Sequence, residues 1–112
     1  MNYNGNVQLT IVFICPPEYE AAGDRLWSSH ATWMEDTHYR EGEIALLQYM
    51  VSKGADDDGN ILFVLTEVYA SEAGLKDHSE QAQDWKDIED FNNWNSKCES
   101  TWVHTEIINS LW

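Results

Sequence analysis

Apolar and polar positions alternate with period two in four stretches of this chain, and between them apolar residues recur at helical spacing. Val7 to Ile14 is the first strand, with Val7, Leu9, Ile11 and Phe13 on one face and Gln8, Thr10, Val12 and Ile14 on the other. Pro16-Pro17 ends it, since neither residue donates to a ladder. Glu18 to His38 is predicted helical. Pro17 suits an early helix position, and Glu18 and Glu20 suit the positive end of the dipole. Gly23-Asp24 predicts a break, with Asp24 as a second N-cap. Beyond it, Trp27, His30, Ala31, Trp33, Met34, Thr37 and His38 form one stripe.

Glu43 to Ser52 reads as the second strand, with Ala45, Leu47, Tyr49 and Val51 on one face and Ile44, Leu46, Gln48 and Met50 on the other. GADDDGN, residues 54–60, is a hairpin loop. It is not a calcium loop: counting Asp56 as the first ligand puts Ile61 where the sharp-turn glycine belongs. In the third strand Phe63, Leu65, Glu67 and Tyr69 share a face opposite Leu62, Val64, Thr66 and Val68. Ser71 caps a helix that carries Leu75, His78, Ala82 and Trp85 on one side. Trp85, Ile88, Phe91 and Trp94 then recur every third residue and drift off that side. This predicts a break near Asp84, which caps a separate helix ending around Cys98. Thr101 to Ile108 is the fourth strand, with Trp102, His104, Glu106 and Ile108 on one face. The apolar pair Leu111-Trp112 predicts a docked tail.

The order is βαββαβ with an extra helix before the last strand: an α+β, ferredoxin-like plait in one domain, residues 1–112. Both crossovers of that topology place helices on the same face of an antiparallel sheet. These strands are apolar on both faces, which a half-solvated sheet would not be. The second face therefore needs a cover. The simplest is the same face of a second copy, giving a two-fold homodimer around a closed α/β barrel.

Composition narrows the function. Six Lys and Arg against 20 Asp and Glu give a net charge of −14, which repels nucleic acid and anionic membrane surfaces and sets both partners aside. The opening MNYNGNVQLT has no basic region and no long apolar run, so no signal peptide is read, and no stretch approaches a membrane span. A cytoplasmic protein with reduced thiols is the expectation, with Cys15 and Cys98 as packing residues. Six Trp, five Tyr and three Phe exceed what a small core needs and suit a pocket for a flat, apolar or aromatic small molecule.

The candidate chemistry lies where the third strand runs into its helix. Glu67 sits on an otherwise apolar strand face, where a carboxylate needs a partner or a raised pKa. Tyr69 lies two residues on along the same face, and His78 faces the sheet from the helix, so the three are the candidate catalytic group. Each also has a purely structural reading, as groups that close a polar gap in the core. His30, Trp33, Met34, Tyr49 and Trp85 are the expected pocket wall. No metal is expected: His30 and His38 are about two helical turns apart, too far to share an ion, and neither HExxH nor CxxC occurs.

The stretch FVLTEVYASEAGLKDHSEQA, residues 63–82, resembles the core signature of the antibiotic-biosynthesis-monooxygenase-like superfamily (ABM) of dimeric α/β barrels. There a strand ending in Glu-x-aromatic precedes a short helix carrying a His. Glu67, Tyr69 and His78 match that pattern, and Arg40-Glu41-Gly42 resembles its acid-then-glycine turn. The family often has another His a few residues later, but residues 79–85 contain none. The resemblance implies either of two functions. One is a cofactor-independent, monooxygenase-like enzyme acting on a flat aromatic, with His78 backed by Glu67 as base. The other is a non-catalytic module that binds or senses an apolar ligand such as haem, with His78 or His30 as axial ligand.

Overall fold

Nine residues of unbroken alternation make β1, Val7–Cys15, in which every odd residue is buried and every even one half-buried. The computed structural model describes residues 2–112. After β1 come a 3-10 turn, Pro17–Tyr19, and then α1, Glu20–Thr37. β2 spans Leu46–Ala55 and β3 Ile61–Tyr69. Helix α2 is Glu72–Gln81, followed by a 3-10 turn at Ala82–Asp84, then α3 at Ile88–Ser96 and β4 at Glu99–Glu106. The sheet order is β2-β3-β1-β4 with every neighbouring pair antiparallel, which is the ferredoxin-like plait expected. No helix among the described residues is long and apolar enough to cross a membrane.

The inward face is built by Leu9, Ile11 and Phe13 of β1 and Phe63 and Leu65 of β3, packed on Leu26, Trp27, Trp85 and Trp94 from the helical side. Burying each large side chain contributes about 1.5–3 kcal/mol. Phe13 is the hub, with the rings of Trp27 and Trp94 centred 5.3 and 5.2 Å away.

Several boundaries differ from the sequence reading, each for a physical reason. Helix α1 is continuous through Gly23-Asp24. Gly23 is there because a Cβ would stand 2.8 Å from the Phe63 ring and 3.0 Å from Trp94, so the missing side chain lets α1 approach the sheet. β2 starts at Leu46 because residues 43–44 form a turn, and a bulge between Leu46 and Gln48 puts Leu46 opposite Tyr69 on the inward face. The hairpin ladder runs on through Gly54 and Ala55, so the loop shrinks to residues 56–60. There the Asp56 carboxylate accepts bonds from the Asp58 and Asn60 backbone N–H groups. The break before α3 falls at residues 82–87, and Asp87 rather than Asp84 precedes the helix. Asp87 accepts a bond from the Ser29 hydroxyl, and Trp85 donates its indole N–H to the same Ser29 oxygen, which ties the break to α1.

The other face of the sheet has no helix over it among the described residues. Its central positions, Gln8, Thr10, Val12 and Ile14 on β1 opposite Val68, Thr66, Val64 and Leu62 on β3, carry no charge. Met50 and Val103 extend it toward the edges and are exposed. The tail is held differently from the expectation. Ser110 accepts a bond from the Tyr3 backbone N–H and donates to Asn4, while Leu111 and Trp112 stay 76% and 94% exposed.

Candidate functional site

Strand alternation brings Glu67 and Tyr69 inward on β3, and register places Leu9 of β1 and Tyr49 of β2 on either side of Glu67. Helix α1 lowers His30 onto this spot and α2 lowers His78. Glu67 is 0% exposed, His30 6% and His78 9%. The Tyr69 hydroxyl donates to Glu67 Oε1 at 2.7 Å. Oε2 is buried with no partner among the described residues. His78 Nε2 lies 3.7 Å from Oε1, within ion-pair range but beyond a hydrogen bond.

Protonation follows from burial and from the bonds outside this group. Desolvation pushes the Glu67 carboxyl up to about 7, although the Tyr69 bond pulls the other way. Desolvation brings His78 down to about 4 and His30 down to about 3, with the neighbouring imidazoles adding to both. His38 is also held below the ordinary imidazole range, mainly by burial. The Tyr49 and Tyr69 hydroxyls are pushed up by burial first, then by Glu67. Near neutral pH the imidazoles are therefore neutral and the phenols protonated.

The network then assigns tautomers. Thr37 Oγ1 donates to the Trp33 carbonyl at 2.6 Å, so it accepts from His38 Nδ1 at 2.9 Å. Neutral His38 has its lone pair on Nε2, which accepts from His78 Nδ1 at 3.0 Å. His78 then carries its own lone pair on Nε2, aimed at the carboxyl group. His30 Nδ1 is engaged with the Tyr49 hydroxyl at 2.7 Å, which leaves Nε2 as its other ring nitrogen.

A cavity of about 240 Å³ opens beside this group, walled by Leu65, Trp27, Trp85, Phe91 and Trp102, with His30 and His78 among its polar lining residues. The Trp27 indole N–H is a second buried group with no partner among the described residues. A larger depression of about 590 Å³ lies on the side of β2 and reaches Met34, His38, Arg40 and Tyr49. The pairs His38–His78 and Tyr49–His30 thus each link the larger depression to the smaller cavity.

Most of the residues expected at the site converge. Glu67, Tyr69, His78 and His30 meet, Tyr49 braces His30, and Trp85 walls the cavity. Trp33 stacks on Trp85 with ring centroids 6.1 Å apart. Met34 lies behind the site, packed with Leu46 and Tyr69. The sequence reading missed His38 as the partner of His78, and Trp27, Phe91 and Trp102 as walls. Trp27 had a signal, being one turn before His30 on the same stripe. His30, Glu67 and His78 each offer one ligand atom, all within 4.8 Å of one another. The three come from α1, β3 and α2, so the spacing of His30 and His38 along one helix has no bearing on them. Burial raises the thiols of Cys15 and Cys98, the latter to about 12, which fits packing rather than nucleophilic roles.

No family model matches this chain, and no curated protein matches it. Among solved structures, a dimeric ferredoxin-like protein from an uncultured marine organism is similar to it, with a TM-score of 0.68 and 11% identity. The match covers 95% of this chain and 97% of that one. At that identity the likeness speaks for the fold alone.

Proposed function

We propose that this protein is a homodimer whose pocket binds a small flat aromatic molecule, with monooxygenase-like chemistry at Glu67 and His78. Support for the dimer comes from the uncharged centre of the outer face. Two chains of net charge −14 repel, and a surface whose central strands carry no charge is where they can meet at least cost. The dimeric state of the similar marine protein points the same way. With its own sheet face against a second copy, each subunit keeps the aromatic cavity on the helix side.

The observation that carries the chemistry is the unprotonated Nε2 of His78, a residue that lines that cavity. A phenol lying between Trp27 and Trp85 presents its hydroxyl to this nitrogen, and the neutral imidazole takes the proton. The electron-rich phenolate then reduces dioxygen. One oxygen atom ends as a ring carbonyl, the other leaves as water, and the substrate supplies the electrons. This is the cofactor-independent reaction that the ABM resemblance implies. Tyr69, bonded to Glu67, holds the carboxyl in place behind the base.

A module that binds an apolar ligand without turnover uses the same pocket and is the alternative. Within that alternative the volume favours one or two rings over haem, since a tetrapyrrole exceeds about 240 Å³. Tryptophan emission provides the test, because Trp27 and Trp85 line the cavity. Naphthols and other small phenols should quench it saturably in wild type. His78→Ala should weaken that binding about tenfold and abolish oxygen uptake. Saturable quenching without oxygen uptake selects the binding module, and a panel of phenols that never saturates sinks both readings.

A further inference from the structure

We propose that His30, Glu67 and His78 form a binding site for a divalent transition-metal ion. The three side chains come from α1, β3 and α2 and offer one ligand atom each within 4.8 Å. Ligands about 2.1 Å from a common ion stand roughly 3 Å apart, so separations of up to 4.8 Å have to close by as much as roughly 2 Å, which side-chain torsions supply.

One polar atom of each side chain is already engaged. Tyr49 holds His30 Nδ1, His38 holds His78 Nδ1, and Tyr69 holds Glu67 Oε1. Metal sites are built this way: an outer partner fixes each ligand's tautomer and aim while the inner atom faces the ion. What remains is His78 Nε2, 3.7 Å from the carboxyl, and Glu67 Oε2, buried with no partner among the described residues. An unsatisfied buried acceptor is costly, and a cation at the shared point satisfies it and both imidazoles together.

The donor set identifies the class of ion. Two imidazoles and one carboxylate suit iron(II), cobalt(II), nickel(II) or zinc rather than calcium or magnesium, which take mostly oxygen. Three protein ligands leave coordination positions open, and two of them, His30 and His78, line the cavity walled by Trp27 and Trp85. The site uses the pocket of the preceding reading, but it stands whether or not that pocket takes an aromatic. With an ion bound, His78 Nε2 is a ligand and no longer a base.

Cobalt chloride titrated into full-length protein stripped with chelator and dialysed tests this. One equivalent per chain should bind, with visible ligand-field bands that zinc chloride abolishes. Glu67→Gln and His78→Gln should each weaken binding by at least about tenfold. Asp57→Asn, in the exposed hairpin loop, should leave it unchanged. A readout free of variants is the nitrogen NMR spectrum of wild type. Zinc should shift His30 and His78 and leave the exposed His104 in place. Binding that is equal in wild type and Glu67→Gln, absent ligand-field bands, or zinc shifts spread over surface carboxylates instead would overturn the site. Quenching by phenols, measured in chelator, fails or succeeds independently of these results.

Discussion

His38 Nε2 lies 3.0 Å from His78 Nδ1, so the imidazole at the cavity is aimed by a second imidazole rather than by a carboxylate or a backbone carbonyl. The second ring is fixed in turn by Thr37 at the end of α1. A leucine at position 38 keeps bulk but loses the acceptor. His38→Leu should therefore weaken phenol or cobalt binding about tenfold with little change in thermal midpoint. His38→Gln, whose side-chain carbonyl can accept the same bond, should recover most of the affinity. Equal loss in both variants would reduce His38 to a packing residue.

Glu67 makes stability depend on pH in a direction unusual for a carboxylate. Its folded pKa of about 7 lies above the ordinary value, so between about pH 4.5 and 7 the folded state binds more protons than the unfolded one. Stability contributed by this group is present below that window and is lost as pH rises through it. Glu67→Gln keeps an acceptor for Tyr69 and removes the titration. In chelator the variant should match wild type near pH 4.5. By about pH 8 it should be more stable by on the order of 1–3 kcal/mol. Urea midpoints at the two pH values measure this, and a variant less stable at pH 8 would contradict it.

The histidines work in the opposite sense. His78 near 4 and His30 near 3 lie below the free imidazole value, so the unfolded chain takes up protons first as pH falls. Their contribution is complete above about pH 6.5 and is lost toward pH 4. With two such groups against one carboxyl, the thermal midpoint of wild type should fall between pH 6.5 and 4. Glu67→Gln should fall more steeply, because nothing then offsets the imidazoles. A flat profile in that range would mean that the histidines are solvated.

The outer sheet face carries the dimer prediction. Val12 and Val64 are directly paired at its centre. Val64→Asp places a new charge near its own image across a two-fold contact and adds to an existing net charge of −14. Native mass spectrometry should show two chains for wild type and one for the variant, with unchanged circular dichroism. A wild-type mass of one chain would remove the dimer.

Gly23 supplies a packing test. Glycine to alanine inside a helix ordinarily stabilises by about 1 kcal/mol. Here the new Cβ would stand 2.8 Å from Phe63, itself held edge-on by Trp94 with centroids 5.5 Å apart. Overpacking of this kind costs about 1–3 kcal/mol, so Gly23→Ala should lower the urea midpoint. A rise would show that the Phe63 ring yields freely.

What was legible in the chain itself was local. Period two in Val7–Cys15 and Ile61–Tyr69 and the helical stripe from Trp27 to Met34 follow from backbone geometry, which each segment carries alone. The order of elements was enough to give the plait and to leave its second face in need of cover. Glu67, the one carboxylate on an apolar strand face, could be singled out by the cost of burying it. Tertiary structure decided the rest. A bulge at Leu46 is an offset between two strands, and no single strand records it. The uninterrupted α1 at Gly23 depends on a ring from β3. Above all, His30, Glu67 and His78 come within 4.8 Å because the sheet register and two helices converge on one point. Sequence spacing measures distance only within one element, which is why comparing His30 with His38 left the ligand set made by three elements unseen.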